Sequence, residues 1–190
     1  MCEEHENSGL SRRVFTGLAA AGVAGMAAGL LPQRAAAADF KSDALCIMCI
    51  DPRCVYSTIR FLDDAKIDGG LGIPGVYDMV ALAGASLAGV SLAFPTSIGA
   101  IWDHIALARK LHDIDRVVVM DHRDCGAFKA VYGSDPPELH KQVMTQMKTE
   151  FVRRYPRNVS KPLGLEFYLM PVSNPPKPPP YFLRPVKIDV

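Results

Sequence analysis

The sequence predicts a three-layer α/β domain with a mostly parallel central β-sheet. Two observations carry this: apolar runs of strand length end in polar or Gly- and Pro-containing turns, and amphipathic stretches of helical period lie between them. Strands that alternate with helices pair in parallel, and a parallel sheet is covered on both faces. Function in such a sheet collects beyond the carboxyl ends of its strands.

In chain order, the first strand is Ala44 to Ile50, the apolar run ALCIMCI, stopped at Asp51-Pro52 because proline cannot donate to a central ladder. A second buried strand, Asp78 to Ala83, runs into Gly84, and a third, Arg116 to Met120, reads RVVVM before a polar turn. Between them, Thr96 to Leu111 places Ile98, Ile101, Trp102, Ile105 and Ala108 at helical spacing behind Pro95, the layout of an amphipathic helix. His122 to Tyr132 begins another helix, and Pro137 to Arg154 a further one, with Leu139, Val143, Met147 and Phe151 four apart. Leu165 to Met170 is the last strand, and Met144 and Met147 are helix-packing residues.

Two ends differ from this middle. Near the start, Arg12-Arg13 and Phe15 precede a short apolar run from Gly17 to Leu31, then Pro32 and Ala35 to Ala38. A charged region, a short hydrophobic region and a small-residue cleavage site make a signal peptide rather than a membrane span, which needs about 20 apolar residues. The paired arginines resemble a twin-arginine export signal. Residues 1–38 are therefore expected to be that signal, residues 39–170 the domain, and 171–190 an extended Pro-rich arm; Pro171 to Pro185 holds seven of the 15 prolines, a composition of extended chain rather than core. The expected location is periplasmic or otherwise exported, with no membrane span after cleavage.

Composition excludes other classes. With 21 Lys plus Arg against 20 Asp plus Glu the net charge is +1, so the positive field of a nucleic-acid binder is missing. Of five cysteines, Cys2 belongs to the signal, leaving Cys46, Cys49, Cys54 and Cys125. Cys46 and Cys49 are three apart in an expected strand and point to opposite faces, which argues against their sharing a disulfide partner. Cys46 is expected as a packed core thiol, Cys54 as a loop thiol. His104 and His112 are expected to face solvent or to satisfy a helix end.

The same alternation makes Cys49, Asp51 and Arg53 a unit, because extended chain puts every second side chain on one side. At another strand end, Asp121-His122-Arg123-Asp124-Cys125-Gly126 places His122 and Cys125 three apart at a strand-to-helix turn, where both can converge on one ion. Two thiolates and an imidazole suit zinc, with a fourth position left for water or substrate, as in a catalytic rather than a structural centre.

Cys49-Ile50-Asp51-Pro52-Arg53 and His122-Arg123-Asp124-Cys125-Gly126 together resemble the paired C-x-D-x-R and H-x-x-C-G signatures of the β-class carbonic anhydrases, and the resemblance covers most of Ala44 to Val131. It implies that family's α/β fold, assembled as a homodimer or higher homo-oligomer, with Zn²⁺ held by Cys49, His122 and Cys125. Zinc lowers the pKa of bound water to about 7, and hydroxide attacks CO₂ to give bicarbonate. The resemblance further implies that Asp51 accepts a hydrogen bond from that hydroxide and that Arg53 holds Asp51 in place, a fork contact that lysine cannot copy. In some members the Asp takes the fourth metal position instead.

The chain departs from the family where an Arg-Asn-Ala-Gly segment usually closes the second strand; here stands Ala81-Leu82-Ala83-Gly84-Ala85-Ser86. The linker Ile67 to Pro74 is also longer. A less polar pocket suits carbonyl sulfide or carbon disulfide as well as CO₂, and a non-catalytic zinc-binding assembly subunit is the reading from a third class.

Overall fold

Residues Ala44–Met48 form a strand (β1) buried on both faces, with Leu45 and Ile47 in one apolar cluster and Ala44, Cys46 and Met48 in another. That is the setting a continuous apolar run requires. The computed structural model describes residues 40–66, 69–157, 159–172 and 182–190; the export signal expected within residues 1–38 lies outside them. Arg116–His122 (β3) repeats the pattern, Val117 and Val119 facing one cluster, Val118 and Met120 the other.

The sheet has five strands in the order β2-β1-β3-β4-β5. Tyr77–Ala81 (β2), β1, β3 and Gly164–Met170 (β4) run parallel, and Val186–Lys187 (β5) runs antiparallel to β4. Helix α1, Pro52–Asp63, covers one face with Cys54, Phe61 and Leu62. Helices α2, Pro95–His112, and α4, Pro137–Arg154, cover the other with Ile101, Ile105, Met144, Met147 and Phe151. The short helix α3, Gly126–Tyr132, leads from β3 toward α4. The domain is therefore three-layered α/β with a mostly parallel sheet. No helix among the described residues is long and apolar enough to cross a membrane.

Three expectations change. The first strand stops at Met48 rather than Ile50, and Asp51 to Arg53 are not extended chain: Asp51 is the N-cap of α1, its carboxylate accepting the Arg53 backbone N–H at 2.9 Å, and Pro52 is the first helical residue. A capping carboxylate followed by a proline with preset φ starts a helix more strongly than the apolar run prolongs a strand. The second strand is not buried. It is an edge strand with Met79 and Ala81 exposed, since β1 is its one neighbour among the described residues. Finally, the described end of the arm joins the sheet: Val186–Lys187 pair with Tyr168 and Leu169, Ile188 donates its N–H to the Phe167 carbonyl at 2.9 Å, and Ile188 and Val190 pack on the core margin.

Candidate metal centre

The parallel neighbours β1 and β3 end side by side, Met48 opposite Met120, so the residues that follow them meet. Cys49 is the residue after β1, His122 the last of β3, and Cys125 the N-cap of α3. One ligand atom from each lies within 4.8 Å of the others, and the two sulfurs are 4.0 Å apart. All three side chains are buried.

The donor set fits a thiophilic ion. His122 donates Nδ1–H to the Arg123 carbonyl at 2.9 Å, which fixes the ring's orientation and turns Nε2 toward the sulfurs. Nε2 is buried without a hydrogen bond of ordinary geometry, although the thiols of Cys125, Cys49 and Cys54 all face the ring. A buried nitrogen without a partner is costly, and an ion among the sulfurs supplies one.

The charges run the same way. Cys49 is lowered from 9.0 to about 4, first by a hydrogen bond from Cys125, against the cost of burial, then by His122 and by the Gly84 N–H, which reaches its sulfur at 3.3 Å. Cys125 is raised, because the pair holds its remaining proton there and burial adds to it. Burial draws His122 down, but its three sulfur neighbours outweigh that and raise it. These directions favour a thiolate at Cys49 facing the His122 ring, and a bound ion would take the place of the proton they share.

Asp51 and Arg53 stand at the open side, their side chains 17% and 18% exposed. Arg53 grips the carboxylate with two nitrogens and, through Nη1, reaches the Asp124 carboxylate at 2.8 Å. One guanidinium therefore ties the segment of Cys49 to that of His122 and Cys125. Hydrogen bonding to Arg53 holds the Asp51 carboxyl below the usual range, against a smaller cost of burial. Leu87, Phe128 and Val143 wall the sulfurs, so the surroundings are apolar, as the Ala81 to Ser86 segment leads one to expect.

The structure brings Cys49, Asp51, Arg53, His122 and Cys125 together. It moves Cys54 from the expected loop into α1, buried beside His122. Cys46 is a core thiol, pushed up to about 12 by burial. His104 is exposed and His112 closes α2 by bonding Asp78 at 2.9 Å. Sequence reasoning misses Asp121, which is buried and accepts from Ser86 and His140; its place beside His122 is the one sequence signal that could have singled it out. Also missed is Asp135, which accepts the Cys125 backbone N–H at 3.1 Å.

No protein-family model matches the chain. Over 124 residues it is 27% identical to an uncharacterised protein of Rickettsia bellii, covering 62% of this chain and 72% of that one. Over 95 residues it is 33% identical to a second, RC0076 of Rickettsia conorii, covering 50% of this chain; the chain spans about half, 48%, of that relative's length. Among solved structures it is similar to the carbonic anhydrase of Streptococcus mutans, at 13% identity and TM-score 0.42, over 94% of this chain and 99% of that one.

Proposed function

We propose that this chain is a zinc enzyme that interconverts CO₂ and bicarbonate. The observation that carries the reading is the intact Asp51–Arg53 pair beside the three ligands: Asp51 Oδ2 is 3.8 Å from His122 Nε2 and is held by Arg53 at 2.7 Å. Held so, the carboxylate stands beside the ligand cluster as an ionised hydrogen-bond acceptor.

Cys49, His122 and Cys125 would hold the zinc, which would acidify bound water and so supply hydroxide at neutral pH. Asp51 would accept a hydrogen bond from the attacking hydroxyl and so turn the oxygen's lone pair toward the substrate. Arg53 keeps Asp51 ionised and fixed, a bidentate contact that orients as well as neutralises. Leu87, Phe128 and Val143 pack against the sulfurs and keep water from that side of the cluster. The less polar Ala81 to Ser86 segment beside Cys49 favours a second reading, hydrolysis of carbonyl sulfide or carbon disulfide. We further propose export through the signal at residues 1–38, with the zinc domain beginning at residue 39 and including the β5 strand of the arm, and assembly as a homo-oligomer.

The test is stopped-flow CO₂ hydration by metal-quantified protein, with both sulfur compounds assayed in parallel and Cys49→Ala as control. Zinc-dependent CO₂ turnover, lost in the control, is expected. Turnover of a sulfur compound alone would replace the first reading by the second. Stoichiometric zinc with no turnover of any of the three would favour a non-catalytic assembly subunit.

A further inference from the structure

Behind the ligands, on the face of β3 opposite His122, lies a second buried polar cluster. Asp121 is 1% exposed, and His140 and Ser86 are fully buried. Its carboxylate accepts the Ser86 N–H at 2.9 Å, the Ser86 hydroxyl at 2.6 Å and the Nδ1–H of His140 at 3.0 Å. A buried carboxylate is a poor way to stabilise a three-layer core, since an apolar residue of that size needs no partners. Its retention calls for something it holds in place.

On one side it holds the turn after β2. Gly84 and Ala85 both have left-handed backbone, φ +80 and φ +43, and alanine occupies that region only where its surroundings enforce it. Ser86, bonded twice to Asp121, is the enforcing residue. The turn it pins is the one whose Gly84 N–H reaches Cys49 Sγ at 3.3 Å. On the other side, His140 of α4 lies with its ring 3.8 Å from that of Phe128 in α3, and its Nε2 is 4.0 Å from Asp135 Oδ2. That same oxygen accepts the backbone N–H of Cys125 at 3.1 Å.

We propose that Ser86, Asp121 and His140 form a buried clamp that positions both metal-binding sulfurs, Cys49 through the Gly84 turn and Cys125 through Phe128, which the His140 ring packs against in the helix that Cys125 caps. None of the three touches the metal or substrate, so each is a positioning residue. The clamp rests on the metal centre proposed above but not on the identity of the substrate.

The test is metal affinity by chelator competition, with the visible spectrum of the Co²⁺-substituted protein, for Ser86→Ala, Asp121→Asn, His140→Leu and His140→Gln. Loss of a ligand-orienting partner weakens metal binding by roughly 10- to 100-fold. That weakening, with altered sulfur-to-cobalt and d–d bands, is expected for the first three. His140→Gln can still donate to Asp121 and is expected to recover most of both. Ile101→Val, in the core under α2, destabilises without touching the clamp and is expected to leave affinity and spectrum unchanged. Wild-type affinity and spectrum in folded Ser86→Ala and His140→Leu would overturn the clamp. If Asp121→Asn does not fold, those two variants decide. A wild-type chain that takes up neither zinc nor cobalt would overturn the metal centre and the clamp with it.

Discussion

Arg53 holds both carboxylate oxygens of Asp51, Nε to Oδ1 at 3.0 Å and Nη2 to Oδ2 at 2.7 Å. The same guanidinium bonds the carbonyl of Asp124 at 3.1 Å. The acceptor beside the ligand cluster is thereby fixed to the strand end that carries two of the ligands. Asp51→Asn and Arg53→Ala are expected to keep stoichiometric zinc and to lose CO₂ hydration by about 100-fold, the upper end for residues that orient a metal site. Arg53→Lys is expected to recover little, because an ammonium cannot form the fork. Stopped-flow rates set against zinc content check this, and unchanged rates in the first two variants would contradict it.

Gly84 sits at φ +80, where a Cβ would meet the Leu87 Cβ at 3.0 Å and the Ala127 Cβ at 3.2 Å. Neither contact is the loose end of a flexible chain. Gly84→Ala is expected to cost about 1–3 kcal/mol of stability and to weaken metal binding, because its N–H leaves Cys49. Urea unfolding and chelator competition on the same preparation measure both effects.

Cys46 gives a pH dependence with a definite sign. Its thiol ionises at 9.0 ordinarily and at about 12 in the fold, because it is fully buried. The raised value means that the stability it contributes is whole below pH 9.0 and is lost as pH climbs toward 12, at about 1.4 kcal/mol per pH unit for one group. Urea midpoints from pH 8 to 11 are expected to fall, and to fall less steeply in Cys46→Ala. Tyr77 and Tyr168, both raised first by burial, maintain a residual slope in that variant.

A metal held at a site whose ligands come from separated segments would stabilise the folded chain by mass action. A chelator is expected to lower the thermal midpoint of the zinc-loaded protein and to leave that of His122→Ala unchanged. Equal midpoints with and without chelator in the wild type would contradict a metal held in the folded state.

Much of this was legible in the sequence. The apolar runs of β1 and β3 and the helical spacing of α2 and α4 come from burial on both sheet faces, which composition records directly. Each half of the candidate site is legible because it is a local motif, Cys49 to Arg53 and His122 to Cys125, and the β1–β3 pairing brings the halves together. Helix α1 is not, since its middle, Val55-Tyr56-Ser57-Thr58-Ile59, is made of β-branched, aromatic and hydroxyl residues that favour strands or turns, and packing overrides them. Asp51 and Arg53 do meet, but through a helix cap and a fork contact rather than strand alternation. The clamp leaves no local pattern, because Ser86 and His140 reach Asp121 from 35 and 19 residues away. The two residues of β5 pair only because β4 is already in place.

The most direct test of the central claim is X-ray absorption at the zinc edge of the loaded protein. An open catalytic centre on Cys49, His122 and Cys125 predicts two sulfurs at about 2.3 Å and two lighter atoms at about 2.0–2.1 Å. A third sulfur in the shell, drawn from Cys54 beside His122, would close the site and contradict the account.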